Sequence, residues 1–270
     1  MSAHETWTVV IPAFNEEDFL APTVQSIIDQ TVSGARLIFI DNASTDGTLA
    51  LMEKIAADAS AHHVTILHDD RPGKIRALET GIKAIETPLV AMCDADTFYP
   101  PDYLARAEKM MTASDQIAAA YAFGVYSAAS PFQAWFTKNK GAVMAKLRPA
   151  QCHTGGYGQS FKTDALRRAG GYSDKIWPFM VADHEVSNRI LKQGVIAYDR
   201  EHFCLTSSRR SDRGNVDWRL HERLMYNVMS HRQQDWFFYE YLKPRFEARK
   251  MFNSNLRARD WENETPSASE

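Results

Sequence analysis

Leu89-Val90-Ala91-Met92-Cys93-Asp94-Ala95-Asp96 is an apolar run of strand length that ends in two carboxylates one residue apart. Nothing hydrophobic follows until Phe98, and Pro100-Pro101 stop the strand from continuing. The stretch predicts a buried strand whose C-terminal end presents acids to a cleft. In open α/β sheets that edge is where ligands bind.

The residues before it repeat one pattern. Thr8-Val9-Val10-Ile11-Pro12 reads as a first strand, and Asn15-Glu16-Glu17-Asp18 as a helix cap with first-turn acids. Leu20, Val24, Ile27 and Ile28 then share one helix face. Leu37-Ile38-Phe39-Ile40 is a second strand that ends at Asp41-Asn42, and Leu51, Met52, Ile55 and Ala59 mark the helix after it. Val64-Thr65-Ile66-Leu67 is a third strand. Gly73-Lys74 opens a helix with Ile75, Leu78, Ile82 and Ile85 on one side. Four strand–helix alternations with short connections predict a mostly parallel, doubly wound α/β sheet flanked by helices.

The second half is less regular. Helices are predicted over Tyr103–Met111 and Phe132–Leu147, and strands over Ile117–Phe123 and Val195–Tyr198. A glycine-rich loop, His153 to Gly158, precedes a short helix over Ala165–Arg168. Asp183 to Leu191 reads as another helix, and Val216 to Lys250 as a long, aromatic-rich one. The last residues, 253–270, are polar and predicted disordered.

Composition fits a globular protein, with 270 residues, 44% apolar and 24% charged. No apolar run is long enough to span a bilayer, and Met1 to Glu5 lacks a signal-sequence pattern. Three scattered cysteines, Cys93, Cys152 and Cys204, argue against a disulfide framework and suit a reducing cytoplasm. The net charge of −3 divides unevenly, −5 over residues 1–208 and +4 over 209–250. The basic segment suits a phosphate-bearing ligand, an anionic membrane surface or a solvated helix.

Taken together, Ile11 to Glu16, Asp41 to Thr48, Gly73-Lys74 and Asp94-Ala95-Asp96 resemble the nucleotide-sugar half of glycosyltransferase family 2. The Gly155-Gly156 loop and Asp183 to Arg189 resemble its acceptor half. The resemblance covers residues 7–200 and implies a single domain of GT-A fold over 1–252. Its parts would be a nucleotide-sugar half (7–112), an acceptor half (113–208) and a helical extension (209–252). It also implies transfer of a sugar to an acceptor hydroxyl, with inversion and a divalent metal, Mn²⁺ or Mg²⁺.

Residue by residue, the resemblance makes Asp96 a metal ligand and Asp94 a partner of the ribose or the metal, the DXD pattern. Asp41 would face the base or ribose. Pro12, Ala13, Asn15, Glu16 and Ala95 would form the neighbouring wall, with Lys74 near the base, ribose or phosphate. Asp183 takes the general-base position, with Glu185 as the second choice. Ala182 departs from the pattern, since many members carry an acid there. His202 or His153 could add a metal ligand, and Arg209, Arg210 and Arg213 could meet a diphosphate. The Gln-x-x-Arg-Trp signature of processive polysaccharide synthases is absent, which implies single additions.

The expected activity is therefore a metal-dependent, inverting, non-processive transfer from a nucleotide-sugar, taken to be a UDP-sugar. The acceptor is open and includes lipid-linked or cell-envelope glycan precursors. No nucleic-acid partner is expected. The C-terminal helix could lie on the inner face of a membrane, pack on the core or form a homo-oligomer face. A retaining transferase, a nucleotidyltransferase and a non-catalytic nucleotide-binding protein remain as alternatives.

Overall fold

The structure is a computed structural model that describes residues 5–32, 34–58, 63–207 and 218–257. Arg209, Arg210 and Arg213, and the tail beyond 257, lie outside the described residues.

Strands β1 (Trp7–Ala13), β2 (Arg36–Asp41), β3 (Val64–His68) and β4 (Leu89–Met92) alternate with α1 (Leu20–Ile28), α2 (Thr48–Asp58) and α3 (Lys74–Lys83). They lie in the order β3-β2-β1-β4, all parallel. The winding reverses between β1 and β4, which opens a crevice at their carboxyl ends. Strand residues divide by the two-residue period. Val9, Ile11, Leu37 and Phe39 pack with Leu20, Val24 and Met52 on one face. Val10, Ile38 and Ile40 pack with Ile75, Leu78 and Ile82 on the other.

Gly81 is the closest approach of α3 to the sheet. A Cβ there would lie 2.7 Å from Val10 Cγ1 and 2.8 Å from Ile40 Cδ1. Both neighbours are buried and β-branched, so they yield little. Gly81→Ala is expected to cost about 1–3 kcal/mol of stability by overpacking. A denaturation midpoint equal to wild type would contradict this.

The second half adds β5 (Thr97–Phe98), α4 (Tyr103–Thr112), β6 (Ile117–Tyr126), α5 (Pro131–Leu147), β7 (Gln159–Lys162), α6 (Thr163–Arg168), α7 (Ala182–Ile190) and β8 (Val195–Thr206). The full order is β3-β2-β1-β4-β7-β6-β8-β5. Strand β7 runs antiparallel to both β4 and β6, so the sheet becomes mixed beyond the parallel half. Strand β8 extends past the predicted Tyr198 because it bulges at the polar residues Asp199 to His202 and then re-pairs with β6 from Phe203.

The predicted long C-terminal helix is broken. Helix α8 (Leu220–Val228) ends at Met229, whose ψ of 142° is extended, and Ser230 starts a new helix. That helix runs through α9 (His231–Asp235), a π-helical stretch (Trp236–Leu242) and α10 (Lys243–Ala248). Its phenylalanines face inward, while Trp236 is 50% exposed. Phe237, Phe238, Leu242 and Phe246 form a third cluster with Trp177, Phe179 and Trp218. Among the three readings of this helix, core packing accounts for these side chains.

Asn253–Arg257, polar enough to be placed with the tail from sequence, is a 3-10 turn. Asn253 is buried and its Oδ1 accepts the Ile75 N–H at 3.0 Å, which satisfies a free donor at the start of α3. No helix among the described residues is long and apolar enough to cross a membrane.

Candidate active site

The carboxyl ends of β1, β2 and β4 carry the predicted residues to one edge. Ala13 and Asp41 pair across β1 and β2. Asp94 and Asp96 follow β4 at once, buried at 2% and 7% exposure, with Ala95 between them. The Lys74 ammonium, at the first position of α3, is ion-paired with Asp94. Side chains from the third βα unit and the fourth strand end thus meet over the crevice.

Loop contacts hold this edge in shape. Asn15 has a left-handed φ of 52° and does not cap α1, as its sequence position had suggested. Its Oδ1 instead accepts the Thr45 N–H at 2.8 Å, which joins the β1–α1 loop to the β2–α2 loop. Glu16 is buried beside it, and its N–H donates to Thr48 Oγ1 at 2.7 Å. Pro12, partly exposed, precedes these residues one position before the buried end of β1. Asp41 Oδ1 accepts the Ser44 N–H at 3.2 Å, and His68 Nδ1 lies 3.6 Å from Oδ2.

Asn42 was not singled out in the sequence, yet it ties three segments together. Its amide donates to Asp69 O and Arg71 O, and its Oδ1 accepts the Gly73 N–H at 3.1 Å. Gly73, at φ 122°, then turns the chain into α3 and sets the origin of Lys74.

The glycine loop closes the other side. A Cβ on Gly156 would lie 3.4 Å from Lys74 Nζ, 3.7 Å from Tyr172 Oη and 3.9 Å from Asp183 Cβ. Lys74, Tyr172 and Asp183 therefore border one small space beside Gly156, which the missing side chain leaves open. Val181 sets this up with a left-handed φ of 55°, which is costly for a β-branched residue. Its carbonyl accepts the His184 and Glu185 N–H groups, so α7 starts sharply with Asp183 in its first turn.

Gln159 fixes that turn from β7. It is fully buried, and its amide donates to Asp183 O at 3.1 Å and Ser187 Oγ at 3.2 Å. Tyr172 donates to Gln159 Oε1. Burial pushes the Tyr172 phenol up, so it stays a donor. Tyr99 plays a similar part for the acid pair: its hydroxyl accepts the Asp94 N–H at 2.9 Å and donates to Tyr157 O at 3.0 Å. No spacing rule exposes these residues, because each acts through a partner distant in sequence.

The other candidates separate. Glu185, the second choice for base, is 1% exposed and bonded to both Arg189 Nε and Nη2 at 2.8 Å. Tyr239 also donates to it. A carboxylate so occupied is a structural anchor. His153 Nε2 bonds Arg148 O at 2.8 Å, and its ring lies edge-on to Tyr198. His202 is fully buried in the β8 bulge against the Tyr103 ring, centroids 4.6 Å apart.

Burial pushes His202 down to about 3. The native imidazole therefore stays neutral, while an unfolded one takes a proton below its ordinary value of about 6.5. Between those limits the unfolded state binds more protons, so His202 lowers stability as pH falls. His202→Phe keeps the ring contact and is expected to flatten the stability loss between about pH 6.5 and 4. Parallel acid limbs for variant and wild type would contradict it.

Among the described residues, no three His, Cys, Asp or Glu side chains gather into a metal cage. The two carboxylates at the end of β4, Asp94 and Asp96, are buried one residue apart. This all-oxygen set fits a hard dication that completes its shell with phosphate oxygens and water. Asp94 and Asp96 are the residues that would hold it.

An α/β sheet with a parallel first half, a strand-end acid pair and an acidic helix start beside a glycine loop has the architecture of a GT-A fold. The model of the family "Glycosyl transferase family 2" matches residues 8–191, and the chain belongs to that family. An uncharacterized glycosyltransferase of Mycobacterium tuberculosis is 38% identical over 94 residues, 35% of this chain and 38% of that protein. An undecaprenyl-phosphate 4-deoxy-4-formamido-L-arabinose transferase of Yersinia pestis is 28% identical over 106 residues, 37% of this chain and 31% of that protein. These matches span less than half the length of either relative. A mannosyltransferase of Pyrobaculum calidifontis, solved with GDP-Man and Mn²⁺, superposes with a TM-score of 0.66 at 22% identity. That superposition covers 84% of this chain and 64% of the other, and shares its fold.

Proposed function

We propose that the protein transfers a sugar from a nucleotide-sugar to an acceptor hydroxyl by a single displacement. The observation that carries the reading is the space beside Gly156, where Lys74 Nζ and Asp183 Cβ lie 3.4 and 3.9 Å from the position of an added Cβ, so the proposed donor-side cation and the proposed base border one space. Asp41 accepts from the nucleoside; a carboxylate pairs with the N3–H of uracil, which supports a UDP-sugar. Lys74 places a positive charge where a diphosphate arrives. A divalent ion on Asp94 and Asp96, when bound, offsets diphosphate charge and favours its departure.

Asp183 takes the proton of the acceptor hydroxyl as that oxygen bonds to the anomeric carbon. The bond from that carbon to the diphosphate breaks, and the nucleoside diphosphate leaves with the electron pair. One displacement inverts the anomeric centre. Gln159 and Tyr172 position Asp183 through its carbonyl and touch no reacting atom. A lipid-linked or cell-envelope acceptor agrees with the undecaprenyl-phosphate relative.

The test is to incubate the protein with UDP- and GDP-sugars and hydroxyl acceptors, then read the product anomer by NMR. An inverted glycoside with release of nucleoside diphosphate is expected. A retained anomer would overturn single displacement, and pyrophosphate released from a nucleoside triphosphate would move the assignment to nucleotidyl transfer.

A further inference from the structure

Helix α5 is 17 residues long, and Ala145 is its buried residue. Its inward side is lined by small residues. A Cβ on Gly141 would lie 2.6 Å from the Phe123 ring, so this side sits directly on β6. Its outward side is apolar. Phe132, Trp135, Phe136, Val143 and Leu147 are 71, 55, 53, 55 and 70% exposed. At about 100° per residue they fall within one arc of about 120°. Such a stripe is larger than scattered surface hydrophobics and marks an interaction face.

The charges on the helix itself have one sign. The helix carries Lys138, Lys140 and Lys146 and no acidic residue. Lys138 is turned inward to Glu201 at 3.3 Å and over the Phe203 ring. Lys146 lies within the apolar arc and Lys140 at its margin, both exposed. Long lysine stems can lie along apolar surface while the ammonium reaches a polar layer.

The place of this helix matters as well. Strand β6 is parallel to β4 through the antiparallel β7, so both end at the same edge of the sheet. Tyr126, the last residue of β6, pairs with Thr206, which pairs with Thr97 next to Asp96. Helix α5 begins five residues after Tyr126. Its aromatic start therefore stands at the rim that carries the acid pair. A second stripe, Leu220, Leu224 and Val228 of α8, is 74, 58 and 78% exposed. Gln151, four residues past the end of α5, ties the chain there to the end of α8 by donating to Tyr226 O and Met229 O.

We infer that the outward face of α5 docks on an anionic lipid bilayer. Aromatic and aliphatic side chains bordered by lysines suit the interfacial layer of such a membrane. The positive charge is complementary to anionic headgroups. A second copy fits less well, because a two-fold contact of this face would set lysines against lysines. Docked this way, the strand edge with Asp94 and Asp96 would lie near the membrane. The inference goes beyond the transfer reading and does not rest on it, since vesicle binding is measured without donor or acceptor.

The test is flotation of the full chain with phosphatidylcholine vesicles, with and without phosphatidylglycerol. Binding to the anionic vesicles alone, weakened by salt, is expected. The double variant Lys140→Gln/Lys146→Gln should bind about 30-fold more weakly, about fivefold per charge. The triple variant Phe132→Ser/Trp135→Ser/Phe136→Ser should lose binding. Both should keep the wild-type Tm, because these side chains face solvent. Three results would overturn the inference: no wild-type flotation with anionic vesicles; a triple variant that floats like wild type; or a dimer, lost in that variant, from a chain that ignores vesicles.

Discussion

Asp183→Asn is expected to lower the transfer rate by about 10²–10⁴-fold, the usual contribution of a general base. Nucleotide binding should be unchanged, because the proposed part of Asp183 is toward the acceptor hydroxyl and not toward the nucleotide. The substitution is close to isosteric, and the bonds from Gln159 and Ser187 reach Asp183 through its main-chain carbonyl. The fold at the start of α7 therefore does not need the charge. Single-turnover rates and nucleotide titrations on the same preparation separate the two effects. Unchanged transfer would remove Asp183 from the base position. Glu185 would not inherit it easily, since Arg189 and Tyr239 already occupy its oxygens.

Asp96→Ala is expected to have the other large effect, on donor binding. Loss of one of two carboxylates from the cation site should weaken metal-dependent nucleotide affinity by about 100-fold, the upper end of what loss of an outer-shell partner alone costs. At a nucleotide concentration 100 times the wild-type Kd, ligand stabilisation of about 2.7 kcal/mol would fall below about 0.5 kcal/mol. Thermal melts with and without Mn²⁺ measure this. Asp94→Asn makes a useful comparison, because it also removes the counter-charge of Lys74. If Asp96→Ala kept the full Mn²⁺-dependent stabilisation, the acid pair would not be the cation site.

Much of the first half is legible in the sequence for a physical reason. Parallel strands are buried on both faces, so Val9-Val10-Ile11 and Leu37 to Ile40 are unbroken apolar runs, and the helices between them keep a clear period. The acids are legible because Asp41 and Asp94 stop such runs. Strand β7 is harder to see, since Gln159 and Ser160 are polar yet fully buried between two strands. The end of β8 is hidden by the polar bulge before Phe203. Tyr99 and Tyr157 act across 58 residues, and Asn253 reaches α3 across 178, distances that no local pattern spans. The helix over 132–147 was readable as a helix, but its period does not tell which face meets the sheet. Gly141 and Ala145 decide that only once Phe123 is in place.

The central claim is a metal-assisted nucleotide site at the carboxyl ends of β1, β2 and β4. Its most direct measurement is calorimetric titration of UDP and GDP into the wild-type protein, each with and without Mn²⁺. Saturable binding of one nucleotide, UDP, strengthened by the metal, is expected. No binding of either nucleotide, with or without Mn²⁺, would contradict it.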